Sequence, residues 1–271
     1  MPGILQDRKI MTEARHSTDY PRAALVTGAA RRIGRAIALD LAAQGWAVAV
    51  HHNRSAAAAA EVVRGIVEQG GRAVALQADL AREAESAALI GRAVEALGPL
   101  GCLVNSAACF ERDEITDMTR ESWDRHVEPN LRAPLVLAQD FAEALPQGRG
   151  GVIVNLLDER VWNLTPHFIS YTLSKSALWT LTRTLALALA PRIRVNGIGP
   201  GPALPSARQS AEQFARQCAS VPLGRGTSPE EICQALQFLL AAGSVTGQMI
   251  ALDGGQHLGW AQAHKHSDPG E

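Results

Sequence analysis

Two tyrosines occur in the 271-residue chain, and one of them, Tyr171, lies four residues before Lys175. Residues four apart on a helix share a face, so the phenol and the ammonium point into the same space. A cation beside a phenol favours the phenolate and lowers a pKa that is ordinarily about 10. A tyrosine tuned in this way can give or take a proton near neutral pH. The spacing is common in helices, so its meaning depends on what surrounds it. A second candidate is the turn Thr27-Gly28-Ala29-Ala30-Arg31-Arg32-Ile33-Gly34. Here Gly28 lets the chain turn tightly, and Gly34 lets a helix approach a strand. Amides at the helix start then face outward, where they can hold a pyrophosphate.

These residues need a scaffold, and the hydrophobic pattern predicts one. Short apolar runs at 22–27, 46–51, 72–77, 101–105, 151–157, 192–196 and 248–252 read as strands. Helix-like stretches at 32–44, 55–69, 82–97, 169–190 and 229–242, together with two covering about 119–145, separate them, with Ser55 as the cap of the second. Strands alternating with helices imply βαβ crossovers and a parallel sheet covered on both faces. The strands are apolar throughout, as a doubly covered sheet requires. The fold class is therefore α/β, a single Rossmann-like doubly wound sheet of about seven strands, with the ligand site beyond the carboxyl ends of the strands. The catalytic, cofactor-binding domain is expected over 21–260. Residues 1–20 form a loose extension and 261–271 a polar tail, which holds His264 and His266 without forming a metal site.

Composition narrows the function classes. Lysine and arginine number 26 against 27 aspartates and glutamates, which argues against a nucleic-acid partner held by bulk charge. No apolar run reaches membrane-spanning length, and the N-terminus is too charged for a secretory signal. The four cysteines include no CxxC pair, so a zinc or redox motif is not expected. A cytoplasmic setting follows.

The end of the second strand bears on cofactor choice. A fold that prefers NAD places a carboxylate there to bind the ribose 2′-hydroxyl. This chain has His51-His52-Asn53-Arg54-Ser55, with no acid before Glu61. Arg54 can pair with a 2′-phosphate and Ser55 can donate to it, which favours NADP(H), although Arg54 can also simply solvate a helix start. His51 and His52 border the adenosine side.

Taken together, TGAARRIG, Asp79, Asn105-Ser106-Ala107, Asn130, YTLSK at 171–175 and Pro200-Gly201 resemble the short-chain dehydrogenase/reductase family. The resemblance covers about 22–258 and implies hydride transfer between a nicotinamide and a substrate. It implies that Tyr171 and Lys175 are catalytic, that Lys175 also holds the nicotinamide ribose, and that Asn130 supports a proton-relay water. The implied cofactor contacts are Gly28, Arg31, Arg32, Ile33, Gly34, Asn53, Arg54, Ser55, Asp79, Leu80, Asn105, Ser106, Ala107, Tyr171, Lys175, Pro200 and Gly201. A homotetramer is implied too, consistent with the broadly apolar helix from Leu178 to Ala190.

Two departures from the family pattern are informative. The family has glycine where this chain has Arg32, and serine where it has Asp158, thirteen residues before Tyr171. Both look like pteridine reductases and dihydromonapterin reductases. A ketone reductase needs a neutral hydroxyl at this position to donate to the developing oxyanion. A carboxylate repels that charge but accepts well from the ring and exocyclic N–H groups of a pterin. Asp158, with Tyr171, can pass a proton to a ring nitrogen. Phe110 can give the flat ring a stacking face worth about 0.5–1.5 kcal/mol, or it can be plain core. Arg32 can reach both phosphate and pterin, and Trp162, His167 and Phe168 line the substrate side. Residues 202–220 are expected to be a mobile cover, and Cys109 a packing residue. The sequence thus points to an NADPH-dependent reductase of a dihydropterin-type substrate. A ketone or 3-oxoacyl-thioester reductase is the alternative within enzymes. A non-catalytic NADP(H)-binding sensor or scaffold is the alternative outside them.

Overall fold

The computed structural model describes residues 20–206 and 208–259. The expected N-terminal extension (save Tyr20) and the C-terminal tail lie outside the described residues. Seven parallel strands form one sheet in the order β3-β2-β1-β4-β5-β6-β7. They are β1 Ala23–Val26, β2 Ala47–His52, β3 Ala73–Gln77, β4 Cys102–Asn105, β5 Gly151–Leu156, β6 Ile193–Pro200 and β7 Met249–Leu252. The chain builds outward from β1 to β3, then restarts at β4 on the other side of β1. The crevice between β1 and β4 is therefore the switch point where α/β sheets bind ligands. In register, Leu25 of β1 sits between Ala49 of β2 and Leu103 of β4.

Alternate residues of each strand feed two separate cores. Ala24 and Val26 pack under α1 (Arg32–Ala43), α2 (Ala56–Glu68) and α8 (Pro229–Ala241) through Ile37, Leu41, Val62, Ile66 and Leu236. Ala23 and Leu25 pack on the opposite face under α3 (Glu83–Leu97), α5 (Ala133–Ala144) and α6 (Ile169–Ala188) through Leu89, Leu137, Phe141 and Ala186. A strand buried on both faces has no polar side to alternate with, hence the continuous apolar runs.

Some boundaries differ from expectation. β6 runs four residues past the predicted end, to Pro200, because Gly197 and Gly199 leave room for Leu157 and Met249 to pack where a Cβ would stand. The stretch 119–145 is one rod: α4 (Arg120–Val127) passes through a π turn at Glu128–Arg132 into α5. Ser55 occupies the cap position of α2, but its side chain makes no capping hydrogen bond. The cover at 202–220 contains a helix, α7 (Ala211–Ser220), that the sequence reading lacks. Its signal was present, because Ser210 and Gln213 form a reciprocal capping box.

Candidate active site

The loop after each strand brings one group to the carboxyl edge of the sheet. Gly28 follows β1, Asn53 follows β2, Asp79 follows β3, Ser106 follows β4, Asp158 follows β5 and Gly201 follows β6. The site divides into two halves, meeting near Tyr171 and Lys175.

The first half is made largely of backbone. Gly28 has φ +65, and a Cβ there would meet Ala107 Cα at 2.9 Å; a Cβ at Gly34 would collide with the Gly28 carbonyl. The Thr27 hydroxyl accepts from Ser106 N–H (2.9 Å) and Ala107 N–H (3.0 Å), which ties the glycine turn to the end of β4. His51 fastens the turn from the other side, a role the sequence did not show. Its Nδ1 accepts from Gly28 N–H at 3.1 Å, so its Nε2 carries the proton and donates to Ala78 O at 3.1 Å. Burial lowers the His51 pKa to about 4, and the imidazole is neutral. Asp79 is held by the turn that follows it: its N–H donates to the Glu85 carboxylate at 2.6 Å, and its own carboxylate accepts from Ala81 N–H at 3.1 Å.

This half fits a dinucleotide. Gly28 and Gly34 let the turn pack directly on Ala107 and let the helix close on the strand end, the packing that the dinucleotide-binding turn requires. Asn105 Oδ1 is buried there with no partner, while its Nδ2 donates to Asn155 at 2.8 Å. Arg31 and Arg54 are exposed at the rim, and Arg54 has no ion-pair partner among the described residues. Both are available to a phosphate.

Arg32 behaves differently. It takes φ +53, the left-handed region that costs a side-chain-bearing residue about 1–3 kcal/mol and that explains the family's glycine. Its guanidinium donates to Pro205 O (2.8 Å) and Leu204 O (3.2 Å), so it holds the covering segment.

The second half is made of charged and aromatic side chains. The Tyr171 hydroxyl donates to Asp158 Oδ2 at 2.7 Å. Arg160 Nη1 stands 3.3 and 3.4 Å from the two Asp158 oxygens. Phe110 stacks on Phe168, with centroids 4.7 Å apart and planes 8° apart, and meets Tyr171 edge-on at 4.7 Å. Phe168 reaches this position from a left-handed backbone, φ +58, at the start of α6. Arg160 and Arg208 lie over the Phe110 ring at 5.5 and 5.3 Å. Arg208 also bonds Phe110 O at 2.9 Å and Glu111 at 2.8 Å, anchoring the cover to the Phe110 loop.

The expectation that Lys175 lowers the Tyr171 pKa is corrected. Tyr171 is raised well above 10, first by burial and then by the charge and hydrogen bond of Asp158, with Arg160 opposing the rise. The phenol therefore holds its proton. Lys175 Nζ donates to Leu156 O at 2.6 Å and stands 5.9 Å from the Tyr171 ring centroid. Burial lowers its own pKa to about 8, and Asp158 opposes that shift. Asn130, which has no exposed surface, spends its amide on Cys109 N–H (2.8 Å), Cys109 O (3.0 Å) and Ser174 Oγ (3.0 Å), tying the Phe110 loop to α6. Trp162 packs against Trp179 and His257 with centroids at 6.3 and 5.2 Å, beside the turn Gln256–Leu258. His167 pairs with Glu114 at 2.8 Å.

Sequence reasoning also missed a buried brace behind the pocket. The Ser170 hydroxyl bonds Asp113 and lies 2.7 Å from His126 Nδ1, while His126 Nε2 accepts from Glu111 N–H at 3.0 Å. It fixes the loop that carries Phe110 to the helix that carries Tyr171.

A family model described as enoyl-(acyl carrier protein) reductase matches residues 28–257. The chain belongs to the short-chain dehydrogenase/reductase family. It is an oxidoreductase of that family. Among solved structures, this reductase is similar to FolM alternative dihydrofolate reductase 1 from Brucella suis, crystallised with NADP. They share 48% identity over 91% of this chain and 98% of that one, with a TM-score of 0.86. Among curated proteins, it is 36% identical to an uncharacterized oxidoreductase of Methylorubrum extorquens, over 86% of the reductase and 97% of the relative. It is also 32% identical to a 3-oxoacyl-[acyl-carrier-protein] reductase of Synechocystis, over 86% and 95%.

Proposed function

We propose that the chain is an NADPH-dependent reductase of a pterin-type substrate. The observation that carries this reading is the Asp158 carboxylate, 2.7 Å from the Tyr171 hydroxyl. An alkoxide developing against Tyr171 faces that negative charge, whereas the N–H edge of a pterin finds an acceptor. The NADP-bound Brucella suis dihydrofolate reductase, at 48% identity, supports both the cofactor and the ring class.

Gly28, Gly34, Arg31, Arg54, Asn105 and Lys175 are the residues proposed to hold NADPH, which supplies a hydride when bound. The chain's own residues manage the proton. Tyr171 keeps its proton because burial and Asp158 hold its pKa high. Asp158 accepts from the phenol and offers its carboxylate to the ring's N–H groups. A proton released from Tyr171 to a ring nitrogen completes the reduction, and solvent restores it. Phe110 and Phe168 supply aromatic surface flanked by the Arg160 and Arg208 guanidiniums. Arg32 holds Leu204 and Pro205, and Arg208 is anchored to the Phe110 loop, which places these residues of the cover beside the cleft.

Two finer proposals go with this reading. The exposed Leu173 and Leu187 of α6 support assembly into a homotetramer, which light scattering after gel filtration tests. A cytoplasmic location is consistent with no described helix being long and apolar enough to cross a membrane.

The deciding experiment measures NADPH oxidation at 340 nm with dihydrobiopterin, dihydromonapterin, dihydrofolate and a 3-oxoacyl thioester. Turnover of any of the first three supports the proposal. Turnover of the thioester alone overturns it in favour of the carbonyl reading, for which the 3-oxoacyl reductase of Synechocystis speaks.

A further inference from the structure

We propose that Arg160 is a positioning residue for the proton-donating pair: its guanidinium holds the Asp158 carboxylate against the Tyr171 hydroxyl and supplies the positive charge that faces this pair. Arg160 touches both Asp158 oxygens. Oδ1 accepts from the Arg160 backbone N–H at 3.0 Å and from Arg160 Nη1 at 3.3 Å, while Oδ2 accepts from the phenol at 2.7 Å with the same Nη1 3.4 Å away. Arg160 therefore grips the carboxylate with both main chain and side chain.

The pair is nearly dry, with the Arg160 and Asp158 side chains 17% and 13% exposed. A charge pair screened so little by water is strong while intact and costly when one partner is removed. The guanidinium is also fixed from the other side, its carbon 5.5 Å from the centroids of both Phe110 and Phe168. Its Nε is buried without a partner and keeps one donor for an acceptor atom of a bound ring. Lys175, the cation that sequence reasoning assigned to the phenol, spends a donor on Leu156 O at 2.6 Å.

The test has one arm that needs no substrate and one that rests on the pterin reading. The chain has two tyrosines, so a Tyr20→Phe protein labelled with ¹³Cζ-tyrosine shows a single resonance, that of Tyr171. At neutral pH, Arg160→Gln in this background is expected to move that resonance toward a water-bonded phenol, and Arg160→Lys to keep it near the parent position. With NADPH and a dihydropterin, Arg160→Gln should lower kcat on the order of tenfold. Arg160→Lys should recover most of that loss, and KM for NADPH should stay unchanged in both. A resonance and kcat unaltered by Arg160→Gln overturn the proposal. So does an Arg160→Lys protein that is displaced and impaired as much as the glutamine variant, since shape rather than charge then governs the site. Should Arg160→Gln fail to fold, as judged by circular dichroism, the lysine variant alone decides. A parent that reduces no dihydropterin sinks the pterin reading, and the resonance still decides for Arg160.

Discussion

The two halves of the cleft are built on opposite principles. On the coenzyme side, Gly28, Gly34, Thr27 and a neutral His51 form a cradle of main-chain atoms in which no added Cβ fits at either glycine. On the substrate side, Asp158, Arg160, Arg208, Phe110 and Phe168 form a wall of side chains, two of them charged and nearly dry. Backbone cradles discriminate by shape and accept little change. Side-chain walls discriminate by charge, and one residue can alter what they bind.

The largest expected effect lies where the halves meet. Tyr171→Phe should lower kcat by about 10²–10⁴-fold while sparing NADPH binding, measured by cofactor fluorescence. A fall in cofactor affinity of similar size would erase the distinction between the halves. Next is the cradle itself. Gly34→Ala places a methyl against the Gly28 carbonyl, and overpacking of this kind costs about 1–3 kcal/mol. Its signature should be weaker NADPH binding and a lower melting temperature, with the preference among substrates unchanged.

The wall should respond in the reverse manner. Asp158→Ser should leave NADPH affinity intact and shift the ratio of kcat/KM values from dihydropterins toward 3-oxoacyl thioesters, roughly tenfold or more. A ratio that does not move argues that Asp158 does not select the ring. The smallest effect is a stability effect. Burial raises Glu159 from 4.5 to about 8, helped by Asp158 and opposed by Arg160. Its folded form binds more protons than its unfolded form, so the stability it contributes is complete below pH 4.5 and is lost as pH rises through about 8. Glu159→Gln should flatten the decline in melting temperature across that window by a few degrees. An unchanged slope would assign the decline to other groups.

The same division governs what could be read from the chain. The sheet, the glycine turn and the Tyr171–Lys175 pair were legible because each is a local pattern: an apolar run, a turn with two glycines, an i, i+4 spacing. Asp158 was legible by its distance from Tyr171. The alliances of these residues were not. His51 reaches Gly28 only because β2 lies beside β1, and it reaches Ala78 only because β3 lies beside β2. Arg160 faces Phe110 and Phe168 from a third loop. The reversal of the expected Tyr171 shift has the same origin: spacing showed the cation nearby, and only the fold showed how little water surrounds the phenol.

His51 carries a final consequence. Its unprotonated Nδ1 accepts from Gly28, while burial holds its pKa near 4 against an ordinary 6.5. A proton added there would set donor against donor, so acid unbuttons the nucleotide cradle. The stabilisation that His51 gives is whole above about pH 6.5 and drains away toward pH 4, opposite in sign to the loss at Glu159, which proceeds as pH rises. The two sides of one crevice thus weaken with pH in opposite directions.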